Sequence, residues 1–138
     1  MAEFLFKHKV EKLGLSDQFL IASAGTSAEE CGNPVHRGTR EKLWEHGISC
    51  KGKTAVQLQK ADYGRYDYLI AMEGRNVQAM RRLFGGDPEG KIHTLLAFTK
   101  RGGDIADPWY TGDFDATWRD VDEGCEGLLR VLATRGLR

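Results

Sequence analysis

Three short apolar runs separated by helical patterns set the architecture open to this chain. Gln18-FLIASAG, Tyr68-LIAM and Ile92 to Phe98 each have the length of a buried strand. Between them lie stretches whose apolar residues recur every three or four positions. Strands that alternate with helices cannot pair as hairpins, so the runs are expected to lie parallel in one sheet with helices on both faces. The expected fold class is α/β, built in three layers, α/β/α.

The helical stretches carry their own boundaries. Ala2 to Leu13 repeats Ala2, Phe6, Val10 and Leu13 at helical spacing and stops at Gly14. Asn33 and Pro34 are placed to cap and open a second helix that carries Leu43 and Trp44 inward and ends at Gly47. A short turn of helix is expected within Val56 to Tyr63. Gly74 to Phe84 has Val77, Met80, Leu83 and Phe84 on one side and ends at Gly85-Gly86, with Glu73 and Asn76 near its start. Asp115 is expected to cap a last helix whose inner face is Trp118, Val121, Cys125, Leu128 and Leu132. An α/β domain that opens on a helix has not shown the first strand and the strand-to-helix turn where such folds usually hold a ligand.

Composition narrows the function classes. A chain of 138 residues, 41% apolar and 29% charged, is expected to be one globular domain over 1–138. Twenty basic against twenty acidic residues leave no net charge, so no global field holds nucleic acid or an anionic membrane. Any anion must be bound locally. No apolar run approaches the ~20 residues of a membrane span, and the opening MAEFLFKHKVEK mixes its charges among apolar residues, unlike a signal peptide. The expected compartment is the cytoplasm. Cys31, Cys50 and Cys125 are odd in number and widely spaced, and His8, His36, His46 and His93 add no paired ligand spacing. Reduced thiols are expected, with no metal and no other cofactor.

One string has the form of a nucleophile loop. Cys31-GNPVH-Arg37 is C-x5-R, the spacing at which five residues can wrap a nest of N–H groups around a phosphate between a thiolate and a guanidinium. Pro34 removes one of those donors, His36 adds bulk, Gly38 stands where a hydroxyl residue would follow, and Thr26 to Glu30 separate Cys31 from the preceding strand. Cys31 is therefore expected to be a loop thiol. Cys125 belongs to an apolar helix face and is expected in the core, while Cys50 has no obvious partner beside Lys51 and Lys53. Arg37, Arg40, Lys42, Lys51 and Lys53 form a local basic set, but Glu29, Glu30, Glu41 and Glu45 intersperse it, as on a solvated face. By itself, Asp107-Pro108 reads as an Asx turn, with Trp109 and Tyr110 covering a sheet edge.

Ala24-GTSAEECGNPVHRGTREKL, Tyr66-DYLIAMEGRN and Asp107-PWYTGDF together resemble the low-molecular-weight protein tyrosine phosphatases of the bacterial type, and Met1-AEFLFK resembles that family's first helix. The likeness runs over essentially the whole chain in the right order. It implies metal-free hydrolysis of phosphotyrosine proteins through a cysteinyl-phosphate intermediate. It also implies Asp107 as the general acid and Trp109 and Tyr110 as walls for the substrate ring. The family's nucleophile lies in a C-x5-R-[ST] loop between the first strand and the first helix. Met1 aligns with a methionine inside that helix, so strand and loop would precede residue 1. The chain is accordingly expected to be an N-terminally truncated form, inactive as given, in which Asp107 is vestigial. The alternatives are a non-catalytic module that self-associates or binds phosphoproteins, and a phosphatase that uses Cys31. The related arsenate reductases need a cysteine in the same loop.

In the family fold the first strand is interior to the sheet. Without it, segments near Phe19 to Ala24 and Tyr68 to Met72 would each present unpaired backbone groups, at roughly 1–3 kcal/mol for each one buried. The sheet is expected either to rearrange or to be completed by homo-oligomers through the exposed strands.

Overall fold

A computed structural model describes residues 1–26, 32, 35, 37–106 and 111–134, with Thr134 described by its backbone alone. In chain order its elements are α1 (Ala2–Lys12), α2 (Arg37–Glu45), α3 (Asp62–Arg65), β1 (Leu69–Ala71), α4 (Gly74–Phe84), β2 (Ile92–Thr94) and α5 (Phe114–Thr134). Turns of 3-10 helix occupy Ser16–Gln18 and Leu95–Phe98.

The strands β1 and β2 are parallel, with Leu69 opposite Ile92, Ile70 opposite His93 and Ala71 opposite Thr94. The period-two alternation of β1 divides the molecule. Leu69 and Ala71 join Met80 of α4 and Ile92 in one core, whereas Ile70 and Met72 pack on a larger core formed by α1, α2, α5 and the 95–105 region. Sheet between two helical faces is the expected three-layer α/β/α arrangement.

Helix α4 follows its sequence signals closely. Glu73 is the N-cap, its carbonyl accepting from the Asn76 N–H at 3.0 Å, while the Glu73 N–H donates to Asn76 Oδ1 at 3.2 Å. That reciprocal pair satisfies two orphan donors of the first turn. Gly85, at φ 72°, closes the helix in the left-handed conformation that a side chain resists. Helix α5 lies unusually close to the Leu95–Phe98 turn. A β-carbon on Gly124 would strike the Leu95 side chain, and one on Gly127 would strike the Phe98 carbonyl.

Several expectations are corrected. Gln18 to Gly25 forms no strand: after the 3-10 turn its backbone is extended, and its sole pairing among the described residues is an isolated bridge from Gly25 to Gln57. Phe19 and Ile21 are half-buried, but Leu20 is 71% exposed, because the apolar pattern sets which face turns inward and cannot supply a hydrogen-bonded neighbour. Among the described residues the sheet has two strands and no pairing between this segment and β1. Trp44 is 74% exposed, because helical geometry turns it about 100° from the fully buried Leu43. Leu83 is likewise exposed. The short helix falls at Asp62–Arg65, with an Asp62 carboxylate accepting from the Gln59 N–H at 2.8 Å to set its start. The third strand ends at Thr94, where the chain tightens into 3-10 helix. Helix α5 is capped by Asp113, whose Oδ1 accepts from the Ala116 N–H at 2.9 Å, and Asp115 lies inside its first turn. The expected cap and opening of the second helix, Asn33 and Pro34, lie outside the described residues.

Candidate active site

The chain leading to Asp107 is tied down residue by residue. Asp104 Oδ1 accepts from the N–H of Gly74, the first residue of α4, at 2.9 Å, and the Ile105 N–H donates to the Met72 carbonyl just past β1 at 2.8 Å. Ile105 is 2% exposed, and Thr117 Oγ1 of α5 donates to the Ala106 carbonyl at 3.2 Å. Residues 104–106 therefore stand at the carboxyl end of β1, the end of an open α/β sheet at which ligands bind. Further along the chain, Asp113 caps α5, and Asp115 pairs with Lys42 of α2, a contact that holds its carboxyl below the usual carboxylate range. Asp107, Trp109 and Tyr110, with Pro108 between them, lie outside the described residues.

The second segment of interest is anchored at both ends. The Gly25 N–H donates to Val56 O and the Leu58 N–H to Gly25 O, each at 2.8 Å, while the Gly32 N–H donates to Ala55 O at 2.8 Å. Residues 55–58 thus bond to both Gly25 and Gly32. Val35 packs on the larger core, and Arg37 Nε reaches along α2 to Glu41 Oε1 at 2.9 Å. A phosphate nest over 31–37 needs the Gly32 N–H and the Arg37 guanidinium directed at one anion. Here the first is committed to a carbonyl and the second to a carboxylate. Cys31, Asn33, Pro34 and His36 lie outside the described residues.

The two segments meet through Gly38 and Phe114. Gly38 is the second residue of α2 and Phe114 the first of α5, and the Phe114 ring fills the space that a β-carbon on Gly38 would take. With Lys42, one turn past Gly38, paired to Asp115, the neighbour of Phe114, this contact sets the start of α2 beside the start of α5.

The remaining reactive groups are structural in their surroundings. The Glu3 carboxylate, almost fully buried, accepts from Ser23 Oγ at 2.6 Å, Lys53 Nζ at 2.9 Å and Lys7 Nζ at 2.6 Å. Burial pushes its carboxyl up, but these three donors outweigh burial and hold it below its ordinary range. Cys125 is 1% exposed, as its helix face foretold, and burial pushes its thiol up to about 12. Cys50 is also buried. Within the basic set, Arg37, Lys42 and Lys53 are engaged by Glu41, by Glu45 with Asp115, and by Glu3. Among the described residues no three His, Cys, Asp or Glu side chains converge as metal ligands, and no helix is long and apolar enough to cross a membrane.

Reading residue by residue missed the Gly38 and Phe114 contact and the Asp113 cap. The cap had a signal, since an acidic residue one position before a helical pattern is a natural N-cap. The contact had none, because it joins residues 76 positions apart.

Residues 1–136 match the model of the low molecular weight phosphotyrosine protein phosphatase family. The chain is 37% identical over 134 residues to the low molecular weight protein-tyrosine-phosphatase YfkJ of Bacillus subtilis, covering 96% of this chain and 86% of that protein. It is 29% identical to PtpA of Staphylococcus epidermidis, over 96% of this chain and 84% of that one. The crystal structure of YfkJ superposes with a TM-score of 0.93 at 34% identity, covering 97% of this chain and 86% of that chain. SP-PTP of Streptococcus pyogenes gives a TM-score of 0.82 at 35% identity over 95% and 82% of the two chains. By its sequence and its fold, then, the chain belongs to the low molecular weight phosphotyrosine protein phosphatase family.

Proposed function

We propose that the chemistry of this scaffold is hydrolysis of phosphotyrosine monoesters on proteins through a cysteinyl-phosphate, and that these 138 residues on their own do not turn over substrate. In this reading the chain is a single phosphatase-type domain in the cytoplasm. Asp107 is the group that would protonate the leaving tyrosine oxygen and later help activate water, and Trp109 and Tyr110 wall the ring. The anchoring of residues 104–106 at the carboxyl end of β1 supports that assignment.

The observation that carries the reading is the state of the one C-x5-R string in the sequence, Cys31 to Arg37. Two of the groups such a nest would use are directed elsewhere among the described residues: the Gly32 N–H donates to the Ala55 carbonyl and Arg37 Nε to Glu41 Oε1. A thiol outside such a nest lacks the electropositive surroundings that produce a thiolate nucleophile. Self-association through exposed strand edges completes the proposal, supported by the absence of any pairing between residues 19–24 and β1 among the described residues.

Hydrolysis of p-nitrophenyl phosphate tests this directly. The 138-residue chain and its Cys31→Ser variant should both be inactive, and a version in which a strand and a C-x5-R-[ST] loop precede Met1 should be active and should lose rate when Asp107 is replaced by Asn. Turnover by the 138-residue chain that disappears with Cys31→Ser would overturn the reading and make Cys31 the nucleophile. Phosphotyrosine-peptide binding without turnover would favour a phosphoprotein-binding module.

A further inference from the structure

Residues 19–24 form an uncharged, extended segment that lies against the molecule by one face. Phe19 and Ile21 pack on the larger core and Ser23 bonds to Glu3, so alternate residues point inward, while Leu20, Ala22 and Ala24 point out. Among the described residues, the backbone N–H groups of residues 20–24 donate to no protein acceptor. No charged residue stands between Asp17 and Glu29, so nothing on the segment acts as the electrostatic gatekeeper usually found on an open edge.

We infer that this segment pairs with the same segment of a second copy, antiparallel about a two-fold axis at Ala22, placing Leu20 opposite the partner's Ala24. The inference rests on the self-association proposed above and names its surface and symmetry. A strand edge is self-complementary when reversed: each copy offers the donors and acceptors that the other lacks. The outward residues at and beyond the axis, Ala22 and Ala24, are small enough for close approach, and the large exposed Leu20 loses water against the partner. Charge selects the direction. Asp17 stands exposed at one end, and at the other Lys53 lies against the Ser23 carbonyl within a cluster of two lysines and one glutamate. Antiparallel pairing brings Asp17 toward the partner's cationic end, whereas parallel pairing would set like charges together.

Light scattering of the 138-residue chain across micromolar to submillimolar concentrations gives the first readout, and a dimer whose share grows with concentration is expected. Leu20→Lys, a change at an exposed position that leaves the circular dichroism of the monomer intact, should weaken dimerisation by about tenfold or more. Ala22→Cys should give a covalent dimer under mild oxidation that the parent chain does not, since residues on the axis stand ~4.5–5.5 Å apart. Association indifferent to Leu20→Lys, with no Ala22→Cys cross-link, would overturn this pairing while leaving self-association through another edge. A monomer at every concentration would overturn both, and neither outcome bears on the phosphatase assay.

Discussion

The Phe114 ring lies where a side chain on Gly38 would begin, so the first residue of α5 and the second of α2 are fitted to each other. The fit demands a glycine on one side and a flat ring on the other.

Gly38→Ala should destabilise the protein by about 2 kcal/mol, because overpacking costs roughly 1–3 kcal/mol and outweighs the ~1 kcal/mol that alanine gains in a helix. Phe114→Ala should cost about as much through lost packing. The double variant should lose less than the sum by roughly 1 kcal/mol, since removing the ring relieves the clash. Urea midpoints of the four proteins check this, and strict additivity would deny the contact.

The approach of α5 to the Leu95–Phe98 turn predicts unequal costs at two glycines. A β-carbon at Gly124 meets the Leu95 side chain, which has rotamers to try, whereas one at Gly127 meets a backbone carbonyl. Gly127→Ala should therefore cost more than about 2 kcal/mol and Gly124→Ala about 1 kcal/mol. Equal midpoints in denaturant would contradict the geometry.

Glu3 should make stability fall in acid. Its carboxyl titrates lower in the folded protein than in the unfolded chain, so its contribution is complete above the unfolded value of about 4.3 and is lost as pH falls through the folded value. Glu3→Gln should cost about 2 kcal/mol at neutral pH by removing the countercharge of Lys53 and Lys7 and one of the two oxygens that accept from them, and should flatten the acid limb. Denaturation at a series of pH values from 3 to 7, on the order of one unit apart, is the measurement.

Cys125 should be inert in the native state and protective at moderate pH. With the folded thiol at about 12, unfolding at high pH gains ionisation that folding forbids, so its contribution holds below the unfolded value of ~8.5 and declines as pH rises above it. Alkylation followed by mass spectrometry should leave Cys125 unlabelled in buffer and labelled in denaturant. Rapid native labelling would show that α5 opens.

The sequence carried the helices in detail, because each is specified by neighbours three or four residues apart. The period in Gly74 to Phe84 put Met80 in the core and Cys125 fell on the buried face of α5, while Glu73, expected in the first turn of its helix, is the N-cap just before it. Two of the three apolar runs contribute strands, and the family likeness in Asp107-PWYTGDF and Tyr66-DYLIAMEGRN agrees with the family match over residues 1–136. Tertiary structure alone decided the rest. Whether Gln18 to Gly25 becomes a strand depends on a hydrogen-bonding partner, and no pattern within a segment can provide one. Pro34, His36 and Gly38 already argued against a nest in the C-x5-R string, but nothing local showed that Ala55, 23 residues beyond Gly32, would accept from the Gly32 N–H, and Phe114 gave no sign of Gly38. Local periodicity fixes which way a residue faces, while the groups it meets there are set by chain segments far away in sequence.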